Sequence, residues 1–160
     1  MINEQDIQKV NSITEIQQAI KDIICENTYF AKHNVPILIE NSKTIDFDIK
    51  NAIGKIGIAC VVTTPMLNFR GDYADADLSS RFPFWKMETC NITFAETPTL
   101  NRGRANYCTS MDAALQAAEC FTGNFGFNLT SINQTEQNGI LLVTLTLKTD
   151  AIFRFEKEVI

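Results

Sequence analysis

Histidine is almost absent from this sequence. His33 is the single histidine among 160 residues, and it lies between Lys32 and Asn34 in an expected helix-to-strand loop. Nucleophilic catalysis by serine or cysteine normally needs a nearby base, usually histidine, and a zinc site needs several histidine or cysteine ligands. We therefore expect no catalytic residues, no metal site and no cofactor, and we interpret His33 as a solvated loop residue.

Paired cysteines are lacking too, because the five cysteines are an odd number and form no CxxC motif. Cys60 and Cys90 lie within apolar, strand-like runs, and a free cysteine behaves as a small hydrophobic residue. The pattern favours buried thiols in a reducing compartment over a disulfide framework. The cysteines are Cys25, Cys60, Cys90, Cys108 and Cys120.

Long apolar runs and positive charge are also scarce. Runs such as Ile140–Val143 and Ile58–Val62 fall far short of the roughly 20 residues that span a bilayer, so we expect no membrane partner. The segment Met1–Asp6 lacks the basic start and apolar stretch of a secretory signal, which predicts that the mature chain stays in the cytoplasm, where it is made. The formal net charge of -5 disfavours nucleic-acid binding, which needs a basic face. An acidic surface would instead suit a protein that lines a conduit for sliding DNA.

The chain length and its hydrophobic periodicity predict one domain, 1–160, of mixed α/β (α+β) class. We expect two long helices, Ser12–Asn27 and Thr109–Phe121, and a short one within the ambiguous stretch Thr44–Gly54. They should pack on a mixed sheet of four to five strands. The expected strands are Val35–Glu40, Lys55–Thr64, Phe82–Thr97, Leu129–Gln137 and Ile140–Leu147, with a last short edge strand in Ile152–Phe155.

Local signals place the ends of these elements. Ser12 and Glu15 have the spacing of a capping box, and Thr109 should open the second long helix. Gly54 stands where a helix C-cap favours a positive φ. Asn138-Gly139 is typical of a tight hairpin turn, and Pro36 favours an edge position or a strand entry.

The stretch Gly71–Ser80 is acidic and has no apolar periodicity. Its aspartates resemble calcium ligands, but the spacing places Ser80 where the calcium loop needs glycine and Lys86 where it needs a bidentate glutamate. We therefore expect this segment to bind no calcium. Gly54-Lys55-Ile56-Gly57 likewise lacks the spacing of a phosphate-binding loop.

One part of the chain resembles a known class of proteins. The run Glu96-Thr97-Pro98-Thr99-Leu100-Asn101-Arg102, followed by Thr109–Glu119, is similar to small prophage structural proteins of the tail terminator or neck type. The resemblance lies in a strand that ends in a Glu-x-Pro motif, an Asn-Arg pair and an alanine-rich amphipathic helix. It covers about Val35–Phe121.

The resemblance implies a non-enzymatic virion protein that forms a ring, commonly a hexamer, on the tail tube and joins it to the head. Its partners would be further copies of itself and tail tube or head-completion proteins. It also implies that Glu96, Asn101 and Arg102 fix the loop or make the subunit contact. The candidate subunit-contact loop is Glu96, Pro98, Asn101, Arg102 and Arg104.

Other interpretations stay open. Arg102 and Arg104 are compatible with an anion site or with a solvated turn, and the cluster Phe82, Phe84 and Trp85 with either core or a docking face. A small intracellular protein-binding or assembly module is the alternative function, and an enzyme is a third. Self-association separates the first two, because a ring elutes as a multiple of 18.0 kDa.

Overall fold

The computed structural model describes residues 7–70, 84–122 and 126–158, which form an α+β fold of eight strands and five α-helices. The strands are β1 (Ile7–Val10), β2 (Ile37–Ile39), β3 (Ile58–Val62), β4 (Met66–Arg70), β5 (Phe84–Glu96), β6 (Asn128–Gln137), β7 (Ile140–Lys148) and β8 (Ile152–Phe155). The helices are α1 (Ile13–Cys25), α2 (Thr28–Lys32), α3 (Ile45–Asn51), α4 (Pro98–Arg102) and α5 (Ser110–Cys120), and a π-helical turn, Ala52–Ile56, follows α3.

The central strand β5 explains why the sheet is larger than predicted. Its C-terminal part pairs with β3 on one side and with β7 on the other, all antiparallel. Its N-terminal part pairs with β4 and β8 instead. A strand of 13 residues is long enough to have two successive neighbours on each side. The expected four to five strands are therefore eight.

The sequence predicted two edge strands, and the structure places only the first of them, β2, at an edge of the sheet. β2 pairs only with β3 among the described strands, so the edge position that Pro36 favours is confirmed. The last strand predicted, Ile152–Phe155, is confirmed as β8, but its predicted edge position is wrong, because β1 pairs in parallel with it and covers it. Ile7 and Val10 are the first and last residues of β1, a strand that the sequence did not predict.

The helices pack against the sheet through narrow apolar faces. α1 buries Ile16, Ile20 and Ile24, as its periodicity predicts. α5 buries Ala113, Ala114 and Ala117, whereas Leu115 is exposed. The small alanine side chains allow α5 to lie close to β5 and β7, which it contacts. With 13 and 11 residues, α1 and α5 are shorter than the predicted long helices.

The helix ends show which capping signals were correct. Thr109 Oγ1 accepts a hydrogen bond from Asp112 N at 3.0 Å, so the predicted cap of α5 is confirmed. Within the described residues the Ser12 hydroxyl makes no cap bond, and the Glu15 carboxylate accepts from Asn11 N at 2.9 Å instead. The predicted capping box is therefore wrong, because Glu15 bonds to Asn11 and the Ser12 side chain caps no N–H of α1 among the described residues.

The left-handed residue after the third helix is Gly57, with φ +94°, and not Gly54. The prediction missed it because the π-helical turn, Ala52–Ile56, continues the helical backbone past Gly54 to Ile56. The Asn138-Gly139 turn is confirmed, with φ values of 53° and 80° at its two residues. The hairpin of β6 and β7 that it joins is also confirmed.

Some predictions lie outside the described residues. These concern the acidic segment Gly71–Ser80 and Phe82 at the start of the predicted long strand. Among the residues that are described, no helix is long and apolar enough to cross a membrane.

Candidate subunit-contact turn and exposed aromatic patch

The predicted contact loop begins at Glu96, the last residue of β5, whose carboxylate is buried with an exposed fraction of 2%. One carboxylate oxygen accepts from Ser110 N at 2.9 Å and from Ser110 Oγ at 2.7 Å, and the other accepts from Asn101 Nδ2 at 2.8 Å. A buried carboxylate without donors is strongly destabilising. These three bonds therefore explain how Glu96 is tolerated in the interior, and they tie the end of β5 to the start of α5.

Asn101 is the centre of the turn, and its exposed fraction is 0%. Its Nδ2 also donates to the Cys108 carbonyl at 2.7 Å, so both amide hydrogens have acceptors. Its Oδ1 accepts from Arg104 Nε at 3.0 Å. A side-chain amide is suited to this place because it donates and accepts at the same time. It links the Glu96 carboxylate to the Arg104 guanidinium without direct contact of the two charges.

Arg104 fastens the turn to the end of α2. Its Nη1 donates to the carbonyl oxygens of His33 at 2.9 Å and Asn34 at 3.3 Å. The His33 ring returns the contact, since its Nδ1 lies 3.0 Å from the Asn106 carbonyl oxygen. His33 is consequently half-buried and bonded, and the expected solvated histidine is wrong.

Pro98 and Arg102 are the first and last residues of α4, so the predicted polar loop contains a short helix. Proline suits this first position because the N–H it lacks has no partner within a helix. Thr97 N donates to the Gly57 carbonyl at 2.8 Å, which brings the π-helical turn beside α4. A Cβ on Gly57 would lie 2.7 Å from Asn101 N, so only glycine fits. Arg102 itself is exposed.

These contacts bring Glu96, Asn101 and Arg104 into one intrachain network. Arg102 stands outside it. The resemblance left open whether the loop residues fix the turn or contact a subunit. The buried residues Glu96 and Asn101 fix the turn, because among the described residues their side chains bond only within this network. Sequence reasoning missed Ser110, Cys108 and Gly57. Cys108 contributes a backbone carbonyl and Gly57 a close backbone approach, and neither is signalled by the residue type. Ser110 donates through its N–H and its hydroxyl, but only the fold brings it to Glu96.

The thiol nearest the network is not prepared for nucleophilic chemistry. Burial raises the pKa of the Cys108 thiol above its ordinary value, and a hydrogen bond with the Tyr29 side chain opposes that shift only in part. A nucleophilic cysteine needs the opposite shift, toward the thiolate. Burial also raises the pKa of the Tyr29 hydroxyl. No group of three or more metal-binding side chains occurs within residues 7–70, 84–122 and 126–158.

A second feature lies at the other end of β5, where aromatic side chains reach the surface. The Phe69 and Trp85 ring centroids are 5.1 Å apart, and Trp85 meets Phe155 edge-on at 6.4 Å. Phe69 is 56% exposed and Trp85 is 37% exposed. We call these three side chains the aromatic patch. Phe84, by contrast, is core, so the predicted aromatic cluster divides between the interior and the surface.

No family model matches this chain, and no curated protein matches it. Among solved structures, a protein from Akkermansia muciniphila aligns with 96% of this chain and 85% of its own, at 16% identity and a TM-score of 0.35. A similarity at that level carries no conclusion about function.

Proposed function

We propose that this chain is a non-enzymatic virion structural protein, a tail terminator or head-tail joining protein that assembles as a ring on a phage tail tube. The proposal begins from the resemblance of Glu96–Arg102 and Thr109–Glu119 to such proteins. The part played by these residues supports it, since Glu96 and Asn101 tie the end of β5 to α4 and to the first residue of the alanine-rich helix. A turn tied in this way suits a scaffold that presents surface for assembly.

The observation that carries the proposal is the aromatic patch. Aromatic side chains are enriched at protein contacts, where burial of each ring against a partner removes apolar area from water. Phe69 belongs to β4, which pairs only with β5 among the described strands, so a neighbouring subunit could approach both the ring and the strand edge. The patch supports self-association better than it supports catalysis.

The turn offers a second contact region. Arg102, Leu100 and Tyr107 are exposed there, above the buried Glu96 and Asn101. Acidic residues outnumber basic ones, 19 to 14, so a carboxylate on the next subunit is the expected partner of Arg102. A closed ring forms when one region of each subunit contacts a different region of the next subunit, which is a heterologous contact.

The experiment replaces both exposed rings of the patch, as Phe69→Ser with Trp85→Ser, and measures mass by light scattering after gel filtration, alone and with tail tube protein. The wild type should form a multiple of 18.0 kDa or join the tube, and the double variant should stay monomeric. Phe47→Ser is the matched control, because Phe47 is 70% exposed on α3, away from the patch. A wild-type protein that stays monomeric with tail tubes present would overturn the proposal.

The alternative function, a monomeric protein-binding module, is favoured by a different observation. β6 is a ten-residue strand that pairs only with β7 among the described strands, and Glu136 is its single charged residue. Long, weakly charged edges of this kind accept an additional strand from a peptide. A protein that is monomeric, and that loses its captured partner when Gln134→Pro removes an outward-facing N–H of β6, would favour this alternative.

A further inference from the structure

The C-terminal ends of α1 and α5 both carry a cysteine. Cys25 is the last residue of α1 and is exposed, and Cys120 is the last residue of α5 and is half-buried. The two helices contact each other, and Asn27 Nδ2 donates to Gln116 Oε1 at 3.0 Å between them, close to both thiols. Their ends are therefore held side by side.

The Cys120 sulfur lies 3.9 Å from the carbonyl oxygen of Ile24. That carbonyl carbon is bonded to the nitrogen of Cys25, so the Cys120 sulfur lies within about 6.5 Å of the Cys25 backbone nitrogen. A disulfide requires Cα atoms about 4.4 to 6.8 Å apart. The terminal turn of a helix can adjust, because its end frays.

We propose that Cys25 and Cys120 form an intramolecular disulfide when the protein meets a low-molecular-weight disulfide oxidant, and that this bond staples α1 to α5. The other three thiols take no part. Cys60 and Cys90 have an exposed fraction of 0%, and Cys108 is also buried.

The order of the reaction follows from exposure. The Cys25 thiolate attacks oxidised glutathione, which forms a mixed disulfide and releases one glutathione thiolate. Cys120 then loses its proton and attacks the Cys25 sulfur, and the second glutathione leaves. Two protein thiols are thereby oxidised by two electrons, and one oxidised glutathione is reduced to two glutathione molecules. Burial raises the pKa of the Cys120 thiol, so the second, resolving attack is the slower of the two steps.

The biological setting of this bond rests on the proposed function, although the bond itself does not. Bacterial cytoplasm keeps thiols reduced, whereas the surface of a virion outside the cell is oxidising. A virion protein with this pair would fold as a dithiol and gain the staple after release. Because the bond joins residues far apart in sequence, it restricts the unfolded chain strongly.

The test incubates the full chain with oxidised glutathione, blocks the remaining thiols by alkylation, and maps linked peptides by mass spectrometry. We expect one linkage, Cys25 to Cys120, with three thiols still alkylated after unfolding. The melting temperature should rise by about 5 to 15 °C and return on reduction. Cys25→Ser and Cys120→Ser, treated identically, should show neither linkage nor rise.

Three results would overturn the proposal: a stable glutathione adduct on Cys25, a linkage to Cys60, or a dimer linked between chains. The linkage is measured on the isolated protein. If the disulfide forms but the protein fails to assemble on tail tubes, the disulfide proposal stands and the virion function is wrong. If the protein assembles but no disulfide forms, the virion function stands and the disulfide proposal is wrong.

Discussion

At the scale of single residues, the network around Asn101 shows how a sequence motif and its physical role can differ. Glu96 and Arg104 resemble surface charges in the sequence, yet the carboxylate is buried and the guanidinium is bonded to backbone carbonyls. Each charged group is tolerated because neutral donors or acceptors surround it. The resemblance identified Glu96 and Asn101, but their burial depends on packing against α2 and the π-helical turn, which no local pattern reveals.

Gly57 provides a sharp test of this packing. Gly57→Ala places a Cβ 2.7 Å from Asn101 N on a residue with φ +94°, so both steric overlap and backbone strain oppose it. We expect a loss of about 2 to 4 kcal/mol in the free energy of unfolding, measured by urea denaturation. Gly54→Ala is the matched control, because its Cβ would have no neighbour within 4 Å.

The Gly54 variant should be neutral or slightly more stable, since alanine restricts the unfolded chain and favours helix. Equal stability losses in the two variants would show that neither the left-handed conformation nor the contact with Asn101 governs this position.

At the scale of elements, the length of a segment decides how well its sequence predicts it. α1, α5 and β7 are long enough for their periodicity to be visible, and they were predicted with small errors at their ends. α2, α4 and β1 have four or five residues, too few for a pattern, and were missed. β1 in particular depends on β8, which lies about 145 residues further along the chain. Pairing of that kind is not a local property of the sequence.

The two helix N-termini give a prediction at this scale. Thr109→Ala removes the acceptor of the Asp112 N–H and should lower the free energy of unfolding by about 1 kcal/mol. Ser12→Ala should change it by only a few tenths, because the Ser12 side chain makes no cap bond within the described residues. Urea denaturation of the two variants in parallel measures the difference, and equal losses would contradict the assigned caps.

At the scale of the whole molecule, charge and exposed apolar area act in opposite directions. A net charge of -5 on each copy opposes self-association through repulsion, which salt screens. The aromatic patch favours association by removing apolar area from water. Assembly into a ring therefore needs contacts in which a lysine or arginine of one subunit meets a carboxylate of the next, because acidic residues outnumber basic ones. Arg102 is the candidate in the contact turn.

The last prediction separates Arg102 from Arg104, two arginines that look equivalent in the sequence. Arg102→Glu reverses an exposed charge, so the melting temperature should stay within about 2 °C of the wild type. Assembly, measured by sedimentation, should weaken about tenfold or more, because an interfacial carboxylate loses its partner and meets a like charge. Arg104→Glu instead removes the donors to His33, Asn34 and Asn101 and places a second carboxylate near Glu96, so it should lower the melting temperature of the monomer itself. If Arg102→Glu leaves assembly unchanged while the aromatic-patch variant abolishes it, the turn lies outside the interface and the ring contact belongs to the patch alone.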